Sequence, residues 1–291
     1  MARRPALYYL PSRTRARGPS ARPERVQLTK EEPRIMAIEI TGSVSGTADQ
    51  HTEETLARTF EKAFYVAPWG IYEGPLDEFP KDKIHLSEEP LVLFAHGSSG
   101  VGEPVKAFGR WLASLGIGFL CPNSFELPGR ITYSSPVARE DYERVHALRS
   151  AELLNAAKRL DEVPGFDGRY VVAGTSEGGV AAARFAAPEG RPETARIIFS
   201  WSCEDNYHVA AHRTNIPKDL PVLNVMSATD KFFSRANSWL DNDEALGHAG
   251  RTLADYEDVE IVLIPGAPHT LFALPQAQSA VGGFLARVLD I

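Results

Sequence analysis

From about residue 35 the chain alternates short, near-continuous apolar runs, bounded by Gly or Pro, with longer amphipathic stretches. That alternation limits the available folds more than any other feature. Strands are predicted at Leu91-Val92-Leu93-Phe94-Ala95, Ile117-Gly118-Phe119-Leu120-Cys121, Tyr170-Val171-Val172-Ala173, Ile197-Ile198-Phe199-Ser200, 222–226 and 261–264. Helices are predicted over 104–115, 139–160 and 177–187, and from Pro275 to about Val288. On the first helix, Val105, Phe108, Trp111, Leu112 and Leu115 share one face. A strand that is apolar at every position has both faces covered, and strands separated by helices run parallel through right-handed crossovers. The fold class is therefore α/β, a doubly wound and mostly parallel sheet with helices on both faces. No repeat of 20–50 residues points to a solenoid or propeller. Ligands of such a sheet bind where the loops leave the carboxyl ends of the strands.

Charge divides the chain. Residues 1–34 carry nine Lys/Arg against three Glu, while the remainder holds 22 basic and 35 acidic residues. A body with a net charge of −13 repels polyanions, which argues against nucleic-acid binding by the folded part. The basic head contains Pro5, Pro11, Pro19, Pro23 and Pro33 and no continuous apolar segment. It reads as a disordered extension, with 35–291 as the folded domain, rather than as a secretory signal or an amphipathic transit helix. Translation starting at Met36, where the regular pattern begins, is a further expectation. No apolar run is long enough to span a bilayer, so no membrane partner is expected. Two thiols, Cys121 and Cys203, allow at most one bridge and no four-thiolate zinc site; a reducing, cytoplasmic setting is expected.

The strongest chemical signal is Gly174-Thr175-Ser176-Glu177-Gly178-Gly179, between the strand ending at Ala173 and a small-residue helix. A G-x-S-x-G segment in strand–turn–helix context lifts a serine above the sheet on a sharp turn, and the flanking glycines keep side chains out of its way. Serine needs a base. His269, in Pro265-Gly266-Ala267-Pro268-His269-Thr270 after the last strand, has the required placement. The base needs a carboxylate to orient it, and Asp230 follows the strand 222–226; Glu204 and Asp205 compete for that role. The order Ser176, Asp230, His269 is the one expected when these three groups act together on a sheet of this kind. The backbone N–H of Glu177 and that of Ser98, in His96-Gly97-Ser98-Ser99-Gly100 after the first parallel strand, are the candidate oxyanion donors.

These segments, with Ser227-Ala228-Thr229-Asp230, Gly266-Ala267-Pro268-His269 and Cys121-Pro122-Asn123-Ser124-Phe125, resemble the dienelactone hydrolase-like group of the α/β-hydrolase superfamily over about residues 85–291. The resemblance implies the α/β-hydrolase fold, a small-molecule ester or lactone as substrate, and no metal or organic cofactor. Dienelactone hydrolases proper use a cysteine nucleophile. Ser176 stands at that position here, which favours a serine carboxylesterase using a Ser-His-Asp triad. A serine peptidase or amidase with the same triad, and a binding protein on a hydrolase scaffold, are the alternatives.

Aromatic residues beyond strand ends, notably Phe125, Trp201, Phe232 and Phe272, are candidate substrate contacts; Tyr133, Phe233 and Trp239 lie in similar places. The same side chains could equally pack the core. His208 and His212, at i and i+4, would share a helix face, but without an HExxH pattern they point to solvated histidines rather than a metal site. Arg130 and Arg139, in the 122–140 loop, could attract a substrate carboxylate, but exposed arginines are usually only solvated. Thr52 to Tyr65 reads as an amphipathic helix with Leu56, Phe60, Ala63 and Phe64 on one side, in a segment (35–85) that could also supply the first antiparallel strands.

Overall fold

Each apolar run becomes a strand of one eight-stranded sheet in the computed structural model, which describes residues 39–82 and 84–291. The basic head 1–34 and Met36 lie outside the described residues. In chain order the sheet strands are β2 (Phe64–Val66), β3 (Glu73–Pro75), β4 (Glu89–Ala95), β5 (Gly118–Cys121), β7 (Phe166–Thr175), β8 (Ala195–Phe199), β9 (Val222–Ser227) and β10 (Val259–Ile264). Their spatial order is β10-β9-β8-β7-β4-β5-β2-β3. The six strands from β10 to β5 pair in parallel, and β2 joins β5 and β3 in antiparallel fashion. Two further short strands, β1 (Ser43–Ser45) and β6 (Thr132–Ser134), form a separate antiparallel pair.

Side-chain alternation along the strands sends successive residues to opposite layers. Val92, Phe94, Val171, Ala173, Ile197, Phe199, Leu223 and Val225 face α2 (Glu103–Ser114) and α5 (Pro275–Leu289). Leu91, Leu93, Tyr170 and Val172 face α1 (Glu53–Glu61), α3 (Arg139–Lys158) and α4 (Glu177–Arg184). The doubly wound expectation holds on both faces. One layer is fastened by phenylalanines: Phe108 of α2 lies 5.7 Å from Phe94, 5.5 Å from Phe199 and 5.4 Å from Phe272, ring centre to ring centre. These are productive separations for edge and offset aromatic contacts.

Helix boundaries differ from expectation where the chain changes partner. α1 stops at Glu61, and Phe64-Tyr65-Val66 leaves it to pair with β5, since aromatic and β-branched residues suit a pleated surface. The segment 35–85 thus supplies antiparallel strands as well as a helix. Leu115 caps α2 and is exposed rather than packed with Phe108 and Leu112. His208 and His212 lie on no helix.

Strand order also fixes the site. From β4 the chain first moves outward to β5, then returns across to β7 on the other side of β4. The loops after β4 and β7 therefore diverge from adjacent strand ends, Ala95 pairing with Gly174. This is the switch point at which such sheets bind ligands. Phe108→Ala should destabilise the protein by about 3–5 kcal/mol in urea unfolding, whereas Leu115→Ala should cost less than about 1 kcal/mol.

Candidate active site

The turn after β7 is strained at one residue. Ser176 sits at φ 55°, ψ −119°, a conformation costly for any residue with a Cβ. Its N–H donates to Phe199 O at 3.0 Å and its carbonyl accepts from Val180 N at 3.1 Å, so β8 and α4 hold the turn from both sides. The turn is tight enough to need glycine. A Cβ on Gly178 would stand 2.0 Å from Ala95 O, and one on Gly174 would stand 2.1 Å from Gly178 O. Glu177 opens α4, so its N–H has no partner within the helix. Gly97 lies across from it, at a point where an added Cβ would be 3.5 Å from Ser176 Cβ.

His269 reaches the same place from the loop after β10. Its Nδ1 is 2.7 Å from Asp230 Oδ2, and a buried carboxylate can only accept, so Nδ1 carries the proton and Nε2 is the basic nitrogen. The other carboxylate oxygen of Asp230 accepts from Phe232 N at 2.9 Å and Phe233 N at 3.0 Å. Burial alone would raise the Asp230 carboxyl, but the bond to His269, the imidazole charge and these two N–H groups outweigh it and hold it below the usual carboxylate range. The competing acids are engaged elsewhere: Glu204 accepts from Leu246 N and Gly247 N, and Asp205 pairs with His212. His269 Nε2 is buried without a hydrogen-bond partner, and no hydrogen bond joins it to Ser176 Oγ. Both residues line one cavity of about 490 Å³.

Two hydroxyls that the sequence reading did not single out fix the histidine loop. Ser200 Oγ, just past β8, donates to His269 O at 2.5 Å, and Ser227 Oγ, ending β9, donates to Ala267 O at 2.7 Å. Their only sequence signal is a serine at a strand's carboxyl end.

Of the four aromatic candidates, Phe232 and Phe272 line the cavity. Trp201 does not: it is wholly buried, edge-on to Phe233 at 5.0 Å, because β8 carries it beneath α4 rather than above the sheet. Phe125 does not either. It is 44% exposed and stacks on the outer side of His96 at 6.0 Å, filling the space beside Gly100. The cavity wall is instead completed by Tyr133, Ser135, Tyr207 and His208, with Lys231 as its sole Lys or Arg. Arg130 is not a solvated arginine. It is buried against Glu177, with its Nη2 2.6 Å from Oε1, while Arg139 pairs at the surface with Asp241. Among the described residues no cluster of three or more metal-ligating side chains occurs, and no helix is long and apolar enough to cross a membrane.

No protein-family model and no curated protein matches the chain. Among solved structures it is similar to Est1E from Butyrivibrio proteoclasticus, at 17% identity over 79% of this chain and all of that one, with a TM-score of 0.48. TT1662 from Thermus thermophilus shares 18% identity over 72% of this chain and 92% of its own, with a TM-score of 0.49. A dienelactone hydrolase from Anabaena variabilis shares 19% over 71% and 88%, with a TM-score of 0.45. The fold assignment rests on strand order and the serine turn described above.

Three histidines around the site are buried and held neutral. Burial pushes His96 well below the ordinary imidazole range, the Arg149 charge adds to this, and its bond to Gly97 O offsets part. Burial lowers His146 to about 4, against the bond to His208 O. Burial also pushes His208 well down, helped by the neighbouring His146 and His269. Unfolding frees these rings to bind protons below about pH 6.5, whereas the folded state does not, so stability is lost as pH falls from there, by about 1.4 kcal/mol per pH unit for each ring. The melting temperature should hold between pH 8 and 7 and drop steeply between pH 6 and 5. A melting temperature unchanged down to pH 5 would contradict these burial states.

Proposed function

We propose that this chain is a serine hydrolase that cleaves carboxylic esters of small molecules through Ser176, His269 and Asp230. The observation that carries the reading is the 2.7 Å bond from His269 Nδ1 to Asp230, which leaves Nε2 as a base in the cavity lined by the strained Ser176. Hydrogen bonds between a nucleophile and its base are often long before substrate binds and tighten in the complex.

The reaction is a two-step acyl transfer. Ser176 Oγ attacks the ester carbonyl carbon as its proton passes to His269 Nε2, and the Asp230 carboxylate stabilises the imidazolium. The negative oxygen of the tetrahedral intermediate takes hydrogen bonds from the N–H groups of Glu177 and Ser98, which need no rearrangement as charge develops. Collapse breaks the ester C–O bond, and the alcohol leaves with the proton held by His269. Water, deprotonated by the same nitrogen, then attacks the acyl carbon; the bond to Ser176 Oγ breaks, Oγ takes the proton back from His269, and the carboxylic acid leaves. The cavity suits a substrate with apolar parts against Phe232, Phe272 and Val105 and a hydrogen-bonding part near Tyr133, Ser135, Tyr207 and His208. The two buried free thiols, Cys121 and Cys203, fit a reducing cytoplasmic setting.

A fluorophosphonate probe should label the wild type and fail on Ser176→Ala. Asp230→Asn should lower kcat on a p-nitrophenyl ester by about 10⁴-fold. Labelling that survives Ser176→Ala would move the nucleophile elsewhere, and an unlabelled wild type would favour a binding scaffold. Turnover of an anilide matching that of its ester would shift the reading to an amidase.

A further inference from the structure

We propose that Arg130 is a positioning residue for the oxyanion hole, holding the Glu177 donor through that residue's buried carboxylate and the Ser98 donor through Ser124 and His96; this rests on the hydrolase reading above.

Glu177 directly follows the nucleophile, and its side chain is wholly buried. A carboxylate there must be matched by buried cations. Arg130 supplies one, through Nη2 at 2.6 Å, and Arg149 of α3 the other, with Nε at 3.4 Å. Arg149 also pairs with Glu152, whose Oε1 accepts from Ser124 Oγ at 2.6 Å and lies 3.0 Å from His51 Nε2. Two guanidiniums thus balance two carboxylates with almost no exposure to solvent. Buried ion pairs of this kind rarely stabilise a fold more than apolar side chains of equal volume would; what they supply is fixed geometry.

That geometry converges on the donors. Arg130 Nε donates to Ser124 Oγ at 2.6 Å, and Ser124 N donates to His96 Nε2 at 3.2 Å. The His96 ring must then carry its proton on Nδ1, which is 2.7 Å from Gly97 O. Arg149 Nη2 donates to His96 O at 3.0 Å. The Gly97 carbonyl and the Ser98 N–H belong to one planar trans peptide unit, so gripping the oxygen on one side aims the N–H to the other. Through Glu177 the same guanidinium grips the residue that carries the second donor. Arg130 also donates to Ile131 O at 2.9 Å and so anchors the loop bearing Tyr133 and Ser135 of the cavity wall. A fork of donors reaching three partners at once is a task for arginine, which lysine fulfils in part at best.

The test compares wild type, Arg130→Lys and the double variant Arg130→Met/Glu177→Gln, which removes both charges together and leaves neither buried alone. Turnover of a p-nitrophenyl ester is measured alongside affinity for phenylboronic acid, whose serine adduct places a tetrahedral oxygen in the hole. The double variant should keep KM within about threefold while kcat and boronate affinity fall together by about 10–100-fold, with Arg130→Lys between it and wild type. Wild-type kcat and boronate affinity in the double variant would overturn the proposal, as would a loss confined to KM. If near-ultraviolet circular dichroism shows the double variant unfolded, Arg130→Lys decides: a fall in kcat of at least about fivefold at unchanged KM supports the role, and wild-type kcat overturns it. A wild type that neither turns over ester nor binds boronate removes the hydrolase reading itself, an outcome distinct from active enzyme indifferent to Arg130.

Discussion

A single residue held at positive φ organises the rest of the site. Ser176 keeps an unfavourable backbone conformation because β8 and α4 hydrogen-bond it from both sides and because Gly174 and Gly178 leave no Cβ where Ala95 O and Gly178 O stand. The strain, of order 1–3 kcal/mol for such a residue, is small against a core that buries both sheet faces. In exchange, the side chain faces the cavity, beside Thr175, while that of Glu177 is wholly buried.

The strand ends supply the other parts by similar means. Hydroxyls at the carboxyl ends of β8 and β9 hold the loop of His269 by its backbone, and Asp230 holds it by its ring. Asp230 is itself fixed by two N–H groups of its own turn. The imidazole is thus oriented before any substrate arrives, and orientation of this kind accounts for much of what a base contributes. The aromatic cluster around Phe108 reaches the cavity through Phe272, which joins the site to the core layer between the sheet, α2 and α5.

Most of the fold was legible in the sequence because its signals are local. Apolar runs such as 91–95 and 222–226 mark strands wherever they occur, and the glycine spacing around Ser176 describes one turn completely. Placement after strands 222–226 and 261–264 was enough to bring Asp230 and His269 together. What escaped depends on distant partners. Nothing near Arg130 in the chain announces that Glu177, 47 residues away, is the carboxylate it pairs with. Trp201 and Phe125 follow strand ends just as Phe232 and Phe272 do, but the direction each backbone takes on leaving the sheet decides whether the ring meets the cavity, the core or solvent. Periodicity carried the helix predicted from Thr52 too far, since pairing with β5 overrides it at Phe64.

The most direct test of this account is a crystal structure of the protein after reaction with an aryl phosphonate. Phosphorus should be bonded to Ser176 Oγ, with a phosphoryl oxygen within about 3 Å of both Glu177 N and Ser98 N and His269 still bonded to Asp230. Phosphorus on any other residue, or a phosphoryl oxygen turned away from those two nitrogens, would contradict it.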